Sequence, residues 1–179
     1  MPIDKYQPCP CGSGKKIKFC CIADIVAELE KIQRMLDGQQ LRAALEHVNH
    51  VLEKHPDRPS LLSIKALLET ELGDTEHAGE TVKTFLEASP GSPVALAEQA
   101  RLFAQEGKPL DAADALQQAL EGADEQLPTR IYSALRDVAL ALLSDGRILA
   151  ARAHLLLHAS LGSENDPRSA ELLMELNGT

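Results

Sequence analysis

Three alanines, Ala44, Ala78 and Ala112, recur at an interval of 34 residues, and their surroundings recur with them. Pro56 and Pro90 keep the same interval, as do Gly73 and Gly107. Apolar positions follow in register: Val48, Val82 and Leu116, then Leu52, Leu86 and Leu120. A fourth copy, shifted by five further residues, puts Gly146, Ala151 and Leu155 in matching roles, with the insertion around Asp124–Pro128. A unit of this length cannot bury its apolar face alone, so copies must stack on their neighbours. An irregular helical bundle has no reason to hold alanine, glycine and proline at one spacing.

Each copy reads as two helices. In the second, the pattern predicts one helix over Pro59–Leu72, a turn at Gly73-Asp74, and another helix over Glu76–Ala88, ended by Ser89-Pro90. Gly73 supplies the left-handed backbone that ends the first of these. Aromatic residues make up only 3% of the chain and Trp is absent, so the core must come from Leu, Ala, Val and Ile. Such residues favour helices packed at close range.

Over about residues 25–165 the pattern resembles the tetratricopeptide repeat family, whose unit carries small residues at its eighth and twentieth positions and proline at its thirty-second. The small residues of the first helices would be Ala66, Ala100 and Ala139. Departures from the family pattern are Leu62, Leu96 and Leu135 for its early Trp, Ile32 for a small residue, Gly38 one place early, and Asp124 for proline. The resemblance implies an all-α solenoid of about four helical hairpins over residues 23–179. Arg168–Asn177 would be its amphipathic cap, turning Leu172, Leu173 and Leu176 inward. It also implies a concave peptide groove, on which the register places Gln33, Ser63, Leu67, Arg101 and Arg136. The Lys/Asn/Arg set with which some members clamp a terminal carboxylate is missing, leaving Arg101 and Arg136 as the groove's cations.

All four cysteines precede the repeats: Cys9, Cys11, Cys20 and Cys21, in the pattern C-x-C-G-S-G-x5-C-C. Four soft ligands joined by a glycine-rich turn suit one tetrahedral zinc ion per chain. Adjacent Cα atoms lie about 3.8 Å apart, below the usual disulfide range, so a Cys20–Cys21 bond would be strained. Gly12, Ser13 and Gly14 let the chain reverse and aim N–H groups at the sulfurs. Cys20 and Cys21 are expected at the start of a helical region near Ile22, where a helix N-terminus stabilises thiolate.

Within residues 1–22, a stretch of about 14 residues resembles the SEC-C motif, the small zinc-binding element of the preprotein translocase motor SecA and of several otherwise unrelated bacterial proteins. Cys9, Pro10, Cys11, Gly12, Ser13, Gly14, Lys15, Lys16, Lys18, Cys20 and Cys21 carry the match. Ile17 replaces the usual aromatic, Phe19 a polar residue, and Cys21 a frequent histidine, which makes the site richer in thiolate and easier to oxidise. In the translocase the motif contacts the chaperone SecB and the ribosome. The resemblance therefore implies zinc as cofactor and a protein partner for Lys15, Lys16, Lys18 and Phe19.

The formal net charge is −9, yet residues 1–21 set Asp4 against Lys5, Lys15, Lys16 and Lys18, which leaves −12 on the remainder. An acidic body argues against a grip on nucleic acid. Four thiolates around divalent zinc carry −2, reducing the cysteine segment to about +1. Tyr6 and Phe19 could stack on a base, but a phenylalanine beside a ligand is expected to pack under the knuckle.

His154 and His158 stand four apart, but no glutamate follows His154 to make H-E-x-x-H; His47 and His50 are expected to face solvent or an adjoining helix. No Walker A loop, dinucleotide fingerprint or G-x-S-x-G elbow occurs, so the expectation is a non-enzymatic chain. The N-terminus lacks the apolar region of a secretory signal, and the apolar stretch at 138–143 is too short to span a bilayer. A reducing cytoplasm is the expected setting, where clustered cysteines bind metal. The combined reading is a cytoplasmic protein–protein adaptor with a zinc knuckle. A redox- or zinc-responsive regulator is the alternative, and a nucleic-acid adaptor a third.

Overall fold

Nine α-helices and one 3₁₀ turn follow one another in a computed structural model that describes residues 3–123, 127–161 and 167–177. The 3₁₀ turn is Ile17–Phe19, followed by α1 (Val26–Asp37), α2 (Leu41–Lys54), α3 (Pro59–Glu71), α4 (Thr75–Ala88) and α5 (Pro93–Gln105). Then come α6 (Pro109–Glu121), α7 (Thr129–Ser144), α8 (Ile148–Ser160) and α9 (Pro167–Asn177). The chain is all-α and built of helical hairpins, as the repeat requires. Helices α3 and α4 lie within one residue at each end of the expected spans. Asp124, in the expected insertion, falls outside the described residues. Among the described residues, no helix is long and apolar enough to cross a membrane.

The hairpin turns repeat atom for atom. Each closes with an N–H bonded to the carbonyl five residues back: Gln40 to Met35 at 2.8 Å, Asp74 to Glu69 at 2.9 Å, Lys108 to Phe103 at 2.8 Å and Arg147 to Leu142 at 2.9 Å. The preceding residue must then be left-handed, as in other helix C-termini of this kind. Gly73, Gly107 and Gly146 fill that role with φ of 77°, 71° and 75°. In the first copy the role falls to Gln39, φ 55°, because Gly38 sits one place too early. The geometry has kept its register although the glycine has slipped, at a cost of about 1 kcal/mol for the side chain.

Two compact units divide the chain, Met1–Ala95 and Leu96–Thr179. In the first, α1 packs on α2, α2 on α3 and α3 on α4; in the second, α6 packs on α7, α7 on α8 and α8 on α9. The recurrent small residues Ala44, Ala78, Ala112 and Ala151 are fully buried, as are Ala66, Ala100 and Ala139. A missing side chain there lets two helix backbones approach closely. Leu172, Leu173 and Leu176 of α9 are half-buried.

The first unit's core does not stop at its helices. Cys9, Cys11, Ile17 and Ile22 belong to the same apolar cluster as Leu29 and Ile32 of α1, Val48 of α2, and Leu61 and Leu68 of α3. Burying one such side chain contributes about 2 kcal/mol, so the cysteine segment is anchored by its own apolar residues.

Candidate metal centre

A short ribbon presents the first two cysteines. Gln7–Cys9 runs antiparallel to Lys15–Ile17, with Cys9 N–H donating to the Lys15 carbonyl at 2.8 Å and Ile17 N–H to Gln7 at 2.9 Å. The reversal needs left-handed backbone at Gly12 (φ 76°) and Gly14 (φ 68°). Gly12 is constrained twice, since a Cβ there would overlap the Val94 side chain, 3.1 Å from Val94 Cβ. Ser92 fixes the same loop by donating its hydroxyl to the Cys11 carbonyl at 3.3 Å.

Cys20 and Cys21 do not open a helix near Ile22, as the sequence pattern had suggested. They sit in successive turns, and α1 starts at Val26. Neighbours on a helix point about 100° apart and could not aim two sulfurs at one centre. Cys20 is extended instead (φ −125°, ψ −172°), which lets both converge. The nearby helix start belongs to α3, whose second residue, Ser60, touches the sulfurs.

All four sulfurs lie within 4.8 Å of one another, and all four cysteines are free thiols. Cys9 Sγ is 3.8 Å from Cys21 Sγ, and Cys11 Sγ is 3.5 Å from Cys20 Sγ. A tetrahedral shell with metal–sulfur bonds of about 2.3 Å separates its sulfurs by about 3.8 Å. The donor set therefore fits one metal ion. Two hydroxyls bridge the sulfurs in pairs: Ser13 Oγ lies 3.2 Å from both Cys11 and Cys20, while Ser60 Oγ lies 3.0 Å from Cys9 and 2.7 Å from Cys21.

Without a cation the four thiols cannot all ionise. Cys21 is pulled down to about 3 by the thiols of Cys11 and Cys9, with Ser60 adding in the same direction. Cys9 is driven upward by Cys11 and Cys21, then by burial. One sulfur thus takes the charge while a neighbour keeps its proton, and a metal ion would displace the protons. Arg58, which precedes α3, bonds the Cys21 carbonyl and forks onto both carboxylate oxygens of Asp24 at 2.8 Å.

The expected partner residues are placed variously. Lys15 and Lys16 are exposed, and Lys18 sits between two rings, its Nζ 4.1 Å from the Tyr6 centroid and 4.4 Å from that of Phe19. Phe19 is 70% exposed and does not pack under the knuckle; Ile17, at 4%, fills that place. Gln33 bonds Asp37 on its own helix, Ser63 is buried and Leu67 half-buried. Arg101 is buried, with Nε 2.8 Å from Asp137 and a second nitrogen 3.4 Å from Glu98. Arg136 is half-buried beside Asp137.

Among the described residues, neither histidine pair gathers with other metal-ligating side chains into a group. His154 donates to the Ala150 carbonyl while His158 is buried, and His47 reaches Glu28 on α1 at 2.7 Å. Sequence reasoning missed Ser60 and Ser92, because a serine near a helix start looks like any other until the fold brings residue 9 to residue 60. No protein-family model matches this chain, and no curated protein matches it.

Proposed function

We propose that this chain is a zinc-binding, non-enzymatic adaptor that joins protein partners through a metal-stabilised N-terminal segment and tetratricopeptide-like hairpins. The observation that carries the reading is the group of four free thiols converging within 4.8 Å. Zinc suits an all-thiolate tetrahedral set and brings no redox chemistry of its own. Support for a docking role comes from the resemblance to the SEC-C motif and from the exposed rings of Tyr6 and Phe19, which flank the half-buried Lys18 beside the centre. A chaperone, ribosome or export component in the cytoplasm is the class of partner that the resemblance suggests.

The test is affinity capture from native lysate with the intact chain and with a Cys9→Ser, Cys20→Ser double variant. A specific protein enriched by the first and lost with the second supports the adaptor. Enrichment of nothing by either removes it.

A second reading is a redox- or zinc-responsive regulator. It is favoured by the uneven burial of the ligands: Cys9 and Cys11 are buried, whereas Cys20 and Cys21 are partly open to solvent. An oxidant could reach the open pair while the buried pair keeps the loop in place. Metal release by mild peroxide, coupled to a change in partner capture, distinguishes the regulator from a purely structural centre.

A further inference from the structure

Two hydroxyls attend the four sulfurs, and they come from different parts of the chain. Ser13 is exposed and lies inside the cysteine segment, two residues from Cys11. Ser60 is fully buried, 51 residues from Cys9, and belongs to α3. Several serine and threonine hydroxyls in these helices turn back on their own backbone. Thr70 donates to the Ala66 carbonyl at 2.8 Å and Ser144 to Leu140 at 3.0 Å. At the second position of α3, Ser60 has no helical carbonyl four residues behind it. Its side-chain partners among the described residues are the two sulfurs.

We propose that Ser60 is a positioning residue of the metal centre, whose hydroxyl holds the Cys9 and Cys21 sulfurs and restrains their reactivity. A helix of the repeats then governs how firmly the metal is kept. The inference rests on the reading that the four cysteines bind a metal. A metal-bound thiolate only accepts hydrogen bonds, so the single hydroxyl proton must be donated to sulfur, shared between contacts of 2.7 and 3.0 Å. A hydrogen bond to a charged acceptor is strong, the more so on the buried Cys9 side of this contact. It draws electron density from the sulfur lone pairs, which lowers their attack on electrophiles and fixes their direction toward the ion.

The experiment uses the full chain loaded with cobalt(II) or zinc, as wild type, Ser60→Ala and Ser63→Ala. Ser63 is an equally buried serine on the same helix, with no contact to sulfur. In Ser60→Ala the sulfur-to-cobalt charge-transfer band is expected at lower energy, and zinc loss during iodoacetamide alkylation roughly 10-fold faster. Ser63→Ala should match the wild type in both. A purely packing role for Ser60 leaves band and release rate unmoved, and that result overturns the proposal.

A measurement on the wild type covers the case in which Ser60→Ala does not fold. In cadmium-113-loaded protein, the Ser60 hydroxyl proton should exchange slowly and correlate with the metal through sulfur. Its absence from the spectrum also overturns the proposal. Wild type that takes up neither zinc nor cobalt removes the metal reading and this inference together. Uptake with an unmoved band removes this inference alone.

Discussion

In the unit Met1–Ala95, α3 begins against two of the four clustered thiols, whereas in the unit Leu96–Thr179, α5 and α7 meet around fixed charges. There the buried Glu98 faces Arg101 at 3.4 Å and Arg130 at 3.2 Å, and Arg101 reaches Asp137 at 2.8 Å. Both units use the same hairpin and the same buried alanines. They differ in what compensates the polar groups placed in their interiors. The charges of that network meet opposite charges within the chain. On the proposed reading the sulfur cluster is completed by an ion taken from solution, which ties the first unit's stability to metal supply and leaves the second unit's independent of it.

The sharpest way to break this comparison is to remove the metal. Chelation is expected to cost the first unit several kcal/mol. Hydrogen exchange should show lost protection in α1–α3 and unchanged protection in α6–α8. Equal loss in both units would end the distinction. Next in size is Gly12→Ala, which adds a side chain at φ 76° and against Val94. A loss of about 3 kcal/mol is expected, together with weaker zinc retention in a chelator competition.

Arg101→Met probes the other side. Withdrawing one cation from beside Glu98 and Asp137 should lower the second unit's stability by about 3 kcal/mol in urea unfolding. Zinc stoichiometry should not change. Gln39→Gly is expected to act in the opposite direction, adding about 1 kcal/mol in thermal unfolding by relieving a left-handed glutamine.

The smallest effect concerns pH. Hydrogen bonds from Arg58 hold the Asp24 carboxyl below its usual range. A depressed carboxylate stabilises the fold above its unfolded pKa, about 3.9, and the contribution is lost as pH falls through the lower folded value. Asp24 is 54% exposed, so Asp24→Asn should cost only about 0.5 kcal/mol at neutral pH. That difference should vanish in acid unfolding curves below the folded value.

Much of the fold was legible because its rules are local. Interval, alanine and glycine placed α3 and α4 within one residue at each end, and the turn register survived even where Gly38 had slipped. The cysteine cluster was legible from spacing, since four sulfurs so close along the chain are drawn into one group of a size that suits a metal ion. Their surroundings were not. Ser60, Ser92 and Val94 reach the cysteine segment from the starts of two helices, α3 and α5, and no local pattern records a contact across 51 or 81 residues. The turn at Cys20-Cys21 was misread for a related reason. Apolar Ile22, Ile25 and Val26 look like a helix start, but the demand that adjacent sulfurs converge delays the helix to Val26.

Native mass spectrometry of the full chain, wild type beside Cys20→Ser, tests the central claim most directly. The account predicts one zinc per wild-type chain, lost or sharply weakened in the variant, with helicity retained in the second unit. A wild-type chain that is fully helical and carries no zinc under zinc-replete conditions would contradict it.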